Sequence, residues 1–132
     1  MKLQPDKSNV PTVRAYGEGW IQVDDQKHVQ SVLVSSLQDT PPTPWGPRQF
    51  EELRSEHLAE LAACGAELVI LGTGQRLRFT PPSWIQSFAE QGVGLETMDT
   101  IAACRTYNIL ASEGRKVVAA LLIESDSTKS EP

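Results

Sequence analysis

The chain has 132 residues, which fits one domain and is long enough to bury a core. Twelve basic and seventeen acidic side chains give a net charge of -5, which argues against a protein that binds nucleic acid through Lys and Arg contacts to phosphates. The longest apolar run, residues 117–123, is far shorter than the roughly 20 residues of a membrane-spanning helix. The first residues resemble neither a signal peptide nor a transit peptide, so we expect a cytoplasmic protein without membrane insertion.

The ends of the chain differ in composition from its middle. Residues 1–12 and 124–132 are rich in proline and polar side chains, so we expect both to be flexible. Residues 13–123 carry the apolar runs and are predicted to form a single α/β domain.

The domain is predicted to begin with a β-hairpin. Residues 13–23 and 29–37 are rich in β-branched and aromatic side chains, and the polar residues 24–27 between them are turn material. The next segment, residues 38–47, holds four prolines around Trp45. Each proline lacks a backbone donor and restricts the residue before it, so this segment is predicted to be a stiff loop.

From residue 48 the apolar spacing becomes helical, and helices then alternate with strands. The first helix is predicted to place Phe50, Leu53, His57, Leu61 and Cys64 on one face and to end before Gly65. The remaining predicted elements are a strand over 67–71, a short strand over 77–79, a helix from Thr80 and Pro81 to Gly92, a strand over 93–98, a helix from Asp99 or Thr100 to Gly114, and a strand over 116–123. This order predicts neighbouring parallel strands. We expect a mixed sheet with helices on both faces and the hairpin added as an edge or an extra layer.

Four motifs in this order resemble a known family. They are ELVILGTG at 67–74, RF at 78–79 with the following prolines, GVGLETMDTIAACRTYN at 92–108, and EGRKVVAALL at 113–122. Together they are similar to the small domain-of-unknown-function family that contains mitochondrial complex I assembly factor 3, the adipogenesis-associated protein of animals and uncharacterised bacterial and archaeal proteins. The resemblance covers roughly residues 10–123. It implies a compact three-layer α/β domain around a mixed sheet and, as an expectation, an assembly-factor-like role with protein partners.

Gly72-Thr73-Gly74 follows a predicted strand, as phosphate-binding glycine loops do. The third glycine of a dinucleotide fingerprint is absent, and no helix follows directly. A tight turn at the strand end, requiring positive φ, is therefore the favoured interpretation. A small nest of backbone amides for an anion or polar ligand is the alternative.

The third helix carries polar residues on a sparsely charged surface. Its wheel turns Ala103, Cys104, Tyr107, Leu110 and Ala111 towards the sheet and leaves Arg105 and Asn108 on the opposite side. These two are three positions apart and can reach one ligand, one partner surface or each other. Either solvent or a partner protein can cover this face. Asp99 is predicted to cap the helix, and its alternative role as an acid or base would need a second titrating group.

No complete catalytic or metal-binding set is recognisable. A Cys104 nucleophile would need a base, and the histidines are His28 in the hairpin turn region and His57 on the apolar helix face. Cys64 and Cys104 are expected to be reduced, buried side chains. The spacings of metal ligands are absent, so we predict no metal and no cofactor, and we expect a protein without enzymatic activity.

Two hypotheses follow. In the first, the protein is an interaction module that presents Arg105 and Asn108, Trp45 in the proline-rich loop, or a sheet edge to partner proteins. A homodimer through a hairpin edge or the polar helix face is compatible with it. In the second, Gly72, Thr73 and Gly74 face Asp99, Thr100 and Arg105 across a pocket that binds a small molecule or anion, or serves an undiscovered reaction.

Overall fold

A five-stranded mixed sheet forms the middle layer of the computed structural model, which describes residues 10–124. The strands are β1 (Val13–Gly17), β2 (Trp20–Val23), β3 (Gln26–His28), β4 (Val32–Ser35), β5 (Thr43–Pro44), β6 (Leu68–Gly72), β7 (Gly94–Met98) and β8 (Val117–Leu121). The helices are α1 (Ser55–Ala62), α2 (Gln86–Gln91) and α3 (Thr100–Ser112). The central sheet has the order β5-β4-β8-β6-β7, in which β6 runs parallel to β7 and β8, and β4 runs antiparallel to β5 and β8.

The middle strand β8 shows why its sequence is apolar throughout. Successive side chains of a strand point to opposite faces. Val117, Ala119 and Leu121 enter the core beneath α3 and the sheet β1–β3, whereas Val118 and Ala120 enter the core beneath α1 and α2. Both faces of the central sheet are therefore covered, which confirms the predicted mixed sheet with helices on both sides.

The N-terminal strands depart from the predicted single hairpin. They form a separate three-stranded antiparallel sheet of β1, β2 and β3, while β4 belongs to the central sheet. Gly19, at φ +81°, turns the chain within the first predicted strand, and Asp24, at φ +51°, begins a two-residue turn. The predicted hairpin pairing was wrong, because Val32 to Ser35, which lie within the second predicted strand, pair with β8, where their side chains reach both cores.

The first helix is interrupted near its start. A 3-10 turn over Phe50–Glu52 ends at Leu53, whose ψ of 144° is extended, and α1 begins only at Ser55. The Arg54 N–H donates to Nδ1 of His57 at 2.9 Å, so the imidazole lies at the start of α1. This hydrogen bond gives Nδ1 of the half-buried His57 side chain a partner within the protein. The helix that was predicted to run continuously from residue 48 is therefore interrupted before Ser55.

Trp45 is a core residue and not the exposed contact predicted for the proline-rich loop. Its side chain is 8% exposed and packs in the core beneath α1, edge-on to His57 with ring centroids 6.0 Å apart. Its N–H donates to the Ser31 carbonyl at 2.9 Å, and the neighbouring Thr43–Pro44 pairs with β4. The buried tryptophan therefore anchors the loop and does not contribute to an exposed interaction surface.

The short strand predicted over residues 77–79 is absent. The Arg78 N–H donates to Oγ1 of Thr73, and that hydroxyl donates to the Arg76 carbonyl at 2.7 Å. The buried threonine therefore closes this segment into a loop, and Phe79 remains 70% exposed.

The first described residues, from residue 10 onwards, are hydrogen-bonded to the rest of the domain. Residues 1–9 and 125–132, which contain most of the segments predicted to be flexible, lie outside the described residues. Within the described range the Pro11 carbonyl accepts from Tyr107 Oη at 2.8 Å, and the Thr12 carbonyl accepts from the Asp24 N–H at 2.9 Å. No helix between residues 10 and 124 is both long and apolar enough to span a membrane.

Candidate functional site

A largely apolar cleft of about 470 Å³ opens where β6 and β8 end and α3 begins. The turn between β1 and β2 forms the opposite wall. Its large lining side chains are Tyr16, Trp20, Ile21, Ile101, Leu122 and Ile123. The volume lies within the roughly 300–1,000 Å³ of small-molecule sites. It is also sufficient for a bulky side chain from a partner.

The glycine loop and the start of α3 come together behind this cleft. The Gly74 N–H donates to Thr100 Oγ1 at 2.8 Å, and that hydroxyl donates to the Leu122 carbonyl at 2.7 Å. The Thr100 N–H donates to the Gly74 carbonyl at 2.9 Å, and the Thr73 N–H donates to the Met98 carbonyl at 2.9 Å. The amides of Thr73, Gly74 and Thr100 thus hold the loop against the helix and do not offer donors to an anion.

Gly72 and Gly74 have different roles in this junction. A Cβ at Gly72 would lie 3.0 Å from Thr100 Cα, so the missing side chain lets α3 approach β6 closely. Gly74 has φ +101°, and a Cβ there would also collide with the Glu124 carboxylate. The predicted requirement for positive φ is therefore met at Gly74.

An ion pair that the sequence did not indicate fixes the cleft floor. Arg78 Nη2 donates to Glu124 Oε2 and to the Thr73 carbonyl, each at 2.6 Å, and both charged side chains are mostly buried. The Phe50 N–H donates to the same carboxylate oxygen at 2.9 Å, and the guanidinium lies 4.8 Å from the Phe50 ring centroid. Glu124 lines the cleft, but these partners give it a structural role.

Asp99 and Cys104, two ionisable residues near the cleft, are also unsuited to acid–base or nucleophilic chemistry. Asp99 Oδ1 accepts from the Ala102 N–H at 2.8 Å, as predicted for a helix cap. Cys104 lines the cleft floor, and burial raises the pKa of its thiol from 9.0 to about 12, against the opposing effect of Arg105. A thiol with that pKa stays protonated near neutral pH and is a poor nucleophile.

Arg105 and Asn108, predicted to share an interaction surface, are placed differently. Arg105 is exposed, and its Nη1 donates to Tyr16 Oη at 3.3 Å at the edge of the cleft. Asn108 Oδ1 accepts from the Val13 N–H at 2.9 Å, and its Nδ2 donates to the Val13 carbonyl at 2.8 Å. The Asn108 amide therefore joins α3 to β1, and of this pair only Arg105 is exposed.

Two aromatic cleft residues escaped the sequence analysis. Tyr16 and Trp20 flank Gly17-Glu18-Gly19, and a side chain at Gly17 would collide with the Trp20 indole. Lys27 Nζ lies 4.8 Å from the centroid of the Trp20 ring. The feature of the sequence that could have indicated them is the placing of two aromatic residues on either side of two glycines within residues 13–23.

A metal centre is not among the features of this region. Within residues 10–124 no three His, Cys, Asp or Glu side chains are grouped closely enough to hold a metal ion. The cleft and its edge present apolar side chains and the exposed Arg105 guanidinium, while Thr100, Glu124 and Asp99 are hydrogen-bonded within the protein.

Comparison with known proteins places this geometry in a family. Over 90 residues the chain is 30% identical to the NADH dehydrogenase (ubiquinone) 1 alpha subcomplex assembly factor 3 of Xenopus tropicalis, which covers 67% of this chain but 49% of that protein. The chain thus spans about half the length of this relative. An uncharacterized protein of Rhodobacter capsulatus is 30% identical over 119 residues, covering 90% of each chain. The crystal structure of a Bordetella parapertussis protein superimposes with a TM-score of 0.80 at 35% identity, covering 87% of this chain and 97% of that one. Residues 13–122 match the protein family of unknown function DUF498/DUF598, and the chain belongs to that family.

Proposed function

We propose that residues 13–123 act as one non-catalytic protein-interaction module of the assembly-factor kind. The docking face comprises the cleft and the exposed side of α3, defined by Ile101, Arg105 and Ile109. We place this module in the cytoplasm, because a reducing compartment suits its two free cysteines.

The observation that carries this proposal is the exposure of two large apolar side chains on one face of α3. Ile101 is 40% exposed and Ile109 is 59% exposed, and they lie eight residues apart on the same helix. Ile101 also lines the cleft, so the cleft adjoins this side of α3. Large exposed apolar side chains beside an apolar cleft are typical of a site that another molecule covers.

Two further observations support recognition over chemistry. Of the ionisable groups around the cleft, Glu124 is bound to Arg78 and Cys104 is held protonated by burial. In addition, the Xenopus tropicalis relative bears the name of an assembly factor. A surface with apolar anchors and without a poised acid, base or nucleophile fits binding to another protein.

Affinity capture from a lysate of the source organism tests the module. We expect Ile109→Asp to remove a protein recovered with the tagged full chain, because an exposed charge would then oppose the apolar contact. Val29→Asp is the matched control, since Val29 is 60% exposed but lies outside the docking face. Equal recovery with both variants would contradict the proposed face.

A second candidate function is suggested by the size of the cleft. Its volume and apolar lining suit a small apolar molecule, held between the turn that joins β1 to β2 and the start of α3. Native mass spectrometry of the purified protein would reveal a retained molecule as added mass. Displacement of that mass by filling the cleft through Cys104→Phe, with the fold retained, would favour this second function.

A further inference from the structure

We infer that the partner of the docking face is an amphipathic helix that carries a carboxylate between two apolar contacts. This inference rests on the proposed function and adds the chemistry of the partner. Its basis is the regular spacing of Ile101, Arg105 and Ile109 on α3 together with the adjoining cleft.

The spacing makes Arg105 unavoidable for a partner that covers both isoleucines. The three residues follow one another at intervals of four, which keeps them on one side of the helix. At about 1.5 Å per residue, the two isoleucines are separated by about 12 Å along the helix axis. A segment that contacts both must therefore pass over the guanidinium.

Covering Arg105 removes water from a charged group. A guanidinium stays charged near neutral pH, and a charge taken out of water without a counter-charge is costly. Arg105 is the one charged residue in the sequence of α3, so no neighbour on the helix can supply that counter-charge. The contact with Tyr16 Oη involves Nη1 alone, whereas a guanidinium carries five donor hydrogens. A carboxylate of the partner satisfies this requirement by a two-pronged hydrogen bond.

A helix suits this face better than an extended segment. The exposed side of α3 consists of side chains projecting from a helix whose backbone groups are used within it, so this part of the docking face offers no strand edge for pairing. Side chains of a second helix at intervals of three or four residues match the spacing of the isoleucines. A partner helix of about two to three turns spans the distance between them.

The cleft supplies the third contact. Because Ile101 belongs both to the cleft lining and to the exposed side of α3, a helix lying along α3 reaches the cleft mouth at that end. A bulky apolar side chain there can enter between Trp20 and Ile101. Aromatic or aliphatic anchors that fill such pockets usually dominate the affinity of an interface.

Photo-cross-linking identifies the occupant directly. The full chain carrying p-benzoylphenylalanine at position 109 is irradiated in the source organism, and the attached segment is determined by mass spectrometry. We expect a segment of another protein with a helical apolar pattern and an acidic residue among its apolar positions. Cross-links to a second copy of this chain, a segment without a carboxylate, or no cross-link to protein would each overturn the inference.

Charge exchange then tests the role of Arg105. We expect Arg105→Glu to weaken binding of the synthetic segment by about 30-fold or more, and Arg105→Lys to weaken it less, because a buried carboxylate loses its counter-charge only in the first. Replacing the acidic residue of the segment by Arg should restore binding to Arg105→Glu. Phe79→Asp, at a 70% exposed position outside the docking face, should bind as the unaltered chain does.

The two experiments separate the two levels of the proposal. If Ile109→Asp abolishes capture but Arg105→Glu binds normally, the docking face stands and the acidic partner is refuted. If neither substitution matters, the docking face itself is refuted.

Discussion

Replacing Asn108 should loosen the joint between α3 and the N-terminal sheet. The Asn108 amide makes two hydrogen bonds with one buried residue, at 2.9 Å to the Val13 N–H and 2.8 Å to the Val13 carbonyl. Each such bond contributes about 1 kcal/mol, and a buried group left without a partner adds a penalty of similar size. We therefore expect Asn108→Ala to lower the free energy of unfolding by about 2–3 kcal/mol, measured by guanidinium denaturation.

Two further variants isolate the hydrogen bonds from general effects on α3. Asn108→Asp keeps an oxygen for the Val13 N–H but sets a second oxygen against the Val13 carbonyl, so it should also destabilise the protein. That deficit should shrink in acid, because a protonated carboxyl can donate to the carbonyl. Ser112→Ala removes a hydroxyl on the exposed side of α3 and should change stability by less than about 0.5 kcal/mol. A similarly small effect of Asn108→Ala would refute the reasoning.

Three other substitutions test the cleft floor. Gly74→Ala, which meets both positive φ and the Glu124 carboxylate, should destabilise more than Gly65→Ala, where φ is positive but the space is open, as compared by thermal unfolding. Arg78→Met should lower the free energy of unfolding, measured by denaturant titration, by about 2–4 kcal/mol, because the Glu124 carboxylate, 16% exposed, is left without its ion pair. A decrease of only about 0.5 kcal/mol would contradict that account. Stability should be retained up to about pH 9 and fall as the pH rises towards 12, because burial raises the folded pKa values of both Cys104 and Tyr107 above their unfolded values. Cys104→Ala should reduce this slope, and an unchanged slope would show that Cys104 does not contribute to it.

Elements dominated by local chemistry could be predicted from the sequence. The apolar run of β8 and the helical spacing of α3 required no knowledge of distant contacts, and neither did the Asp99 cap. Tyr107 was expected to turn towards the sheet, and its side chain is fully buried there, with its hydroxyl donating to the Pro11 carbonyl. In each case the segment itself contains the hydrophobic pattern or the hydrogen-bonding group that decides the outcome.

Features decided by distant contacts were missed. A helical wheel places Asn108 away from the central sheet, but it cannot show that β1, 95 residues earlier in the chain, lies against that side. Trp45 was expected to be presented to a partner by a stiff loop, yet its burial depends on α1, where His57 contacts the indole. The alternation of apolar residues also could not show that β4 pairs with β8 and not with β2, as a hairpin of residues 13–23 and 29–37 would require.

The polar residues concentrated between Asp99 and Asn108 are explained by construction more than by chemistry. A three-layer fold must join a helix to two sheets, and each joint exposes backbone groups that need partners. Asp99 satisfies the first turn of α3, Thr100 links Gly74 to Leu122, and Asn108 satisfies Val13. Once these groups are used, the surface that remains around the cleft is mainly apolar, with Arg105 as its one exposed charge on α3. The apolar surface supplies contact area, and the guanidinium favours a partner with a complementary negative charge. Selective binding requires both.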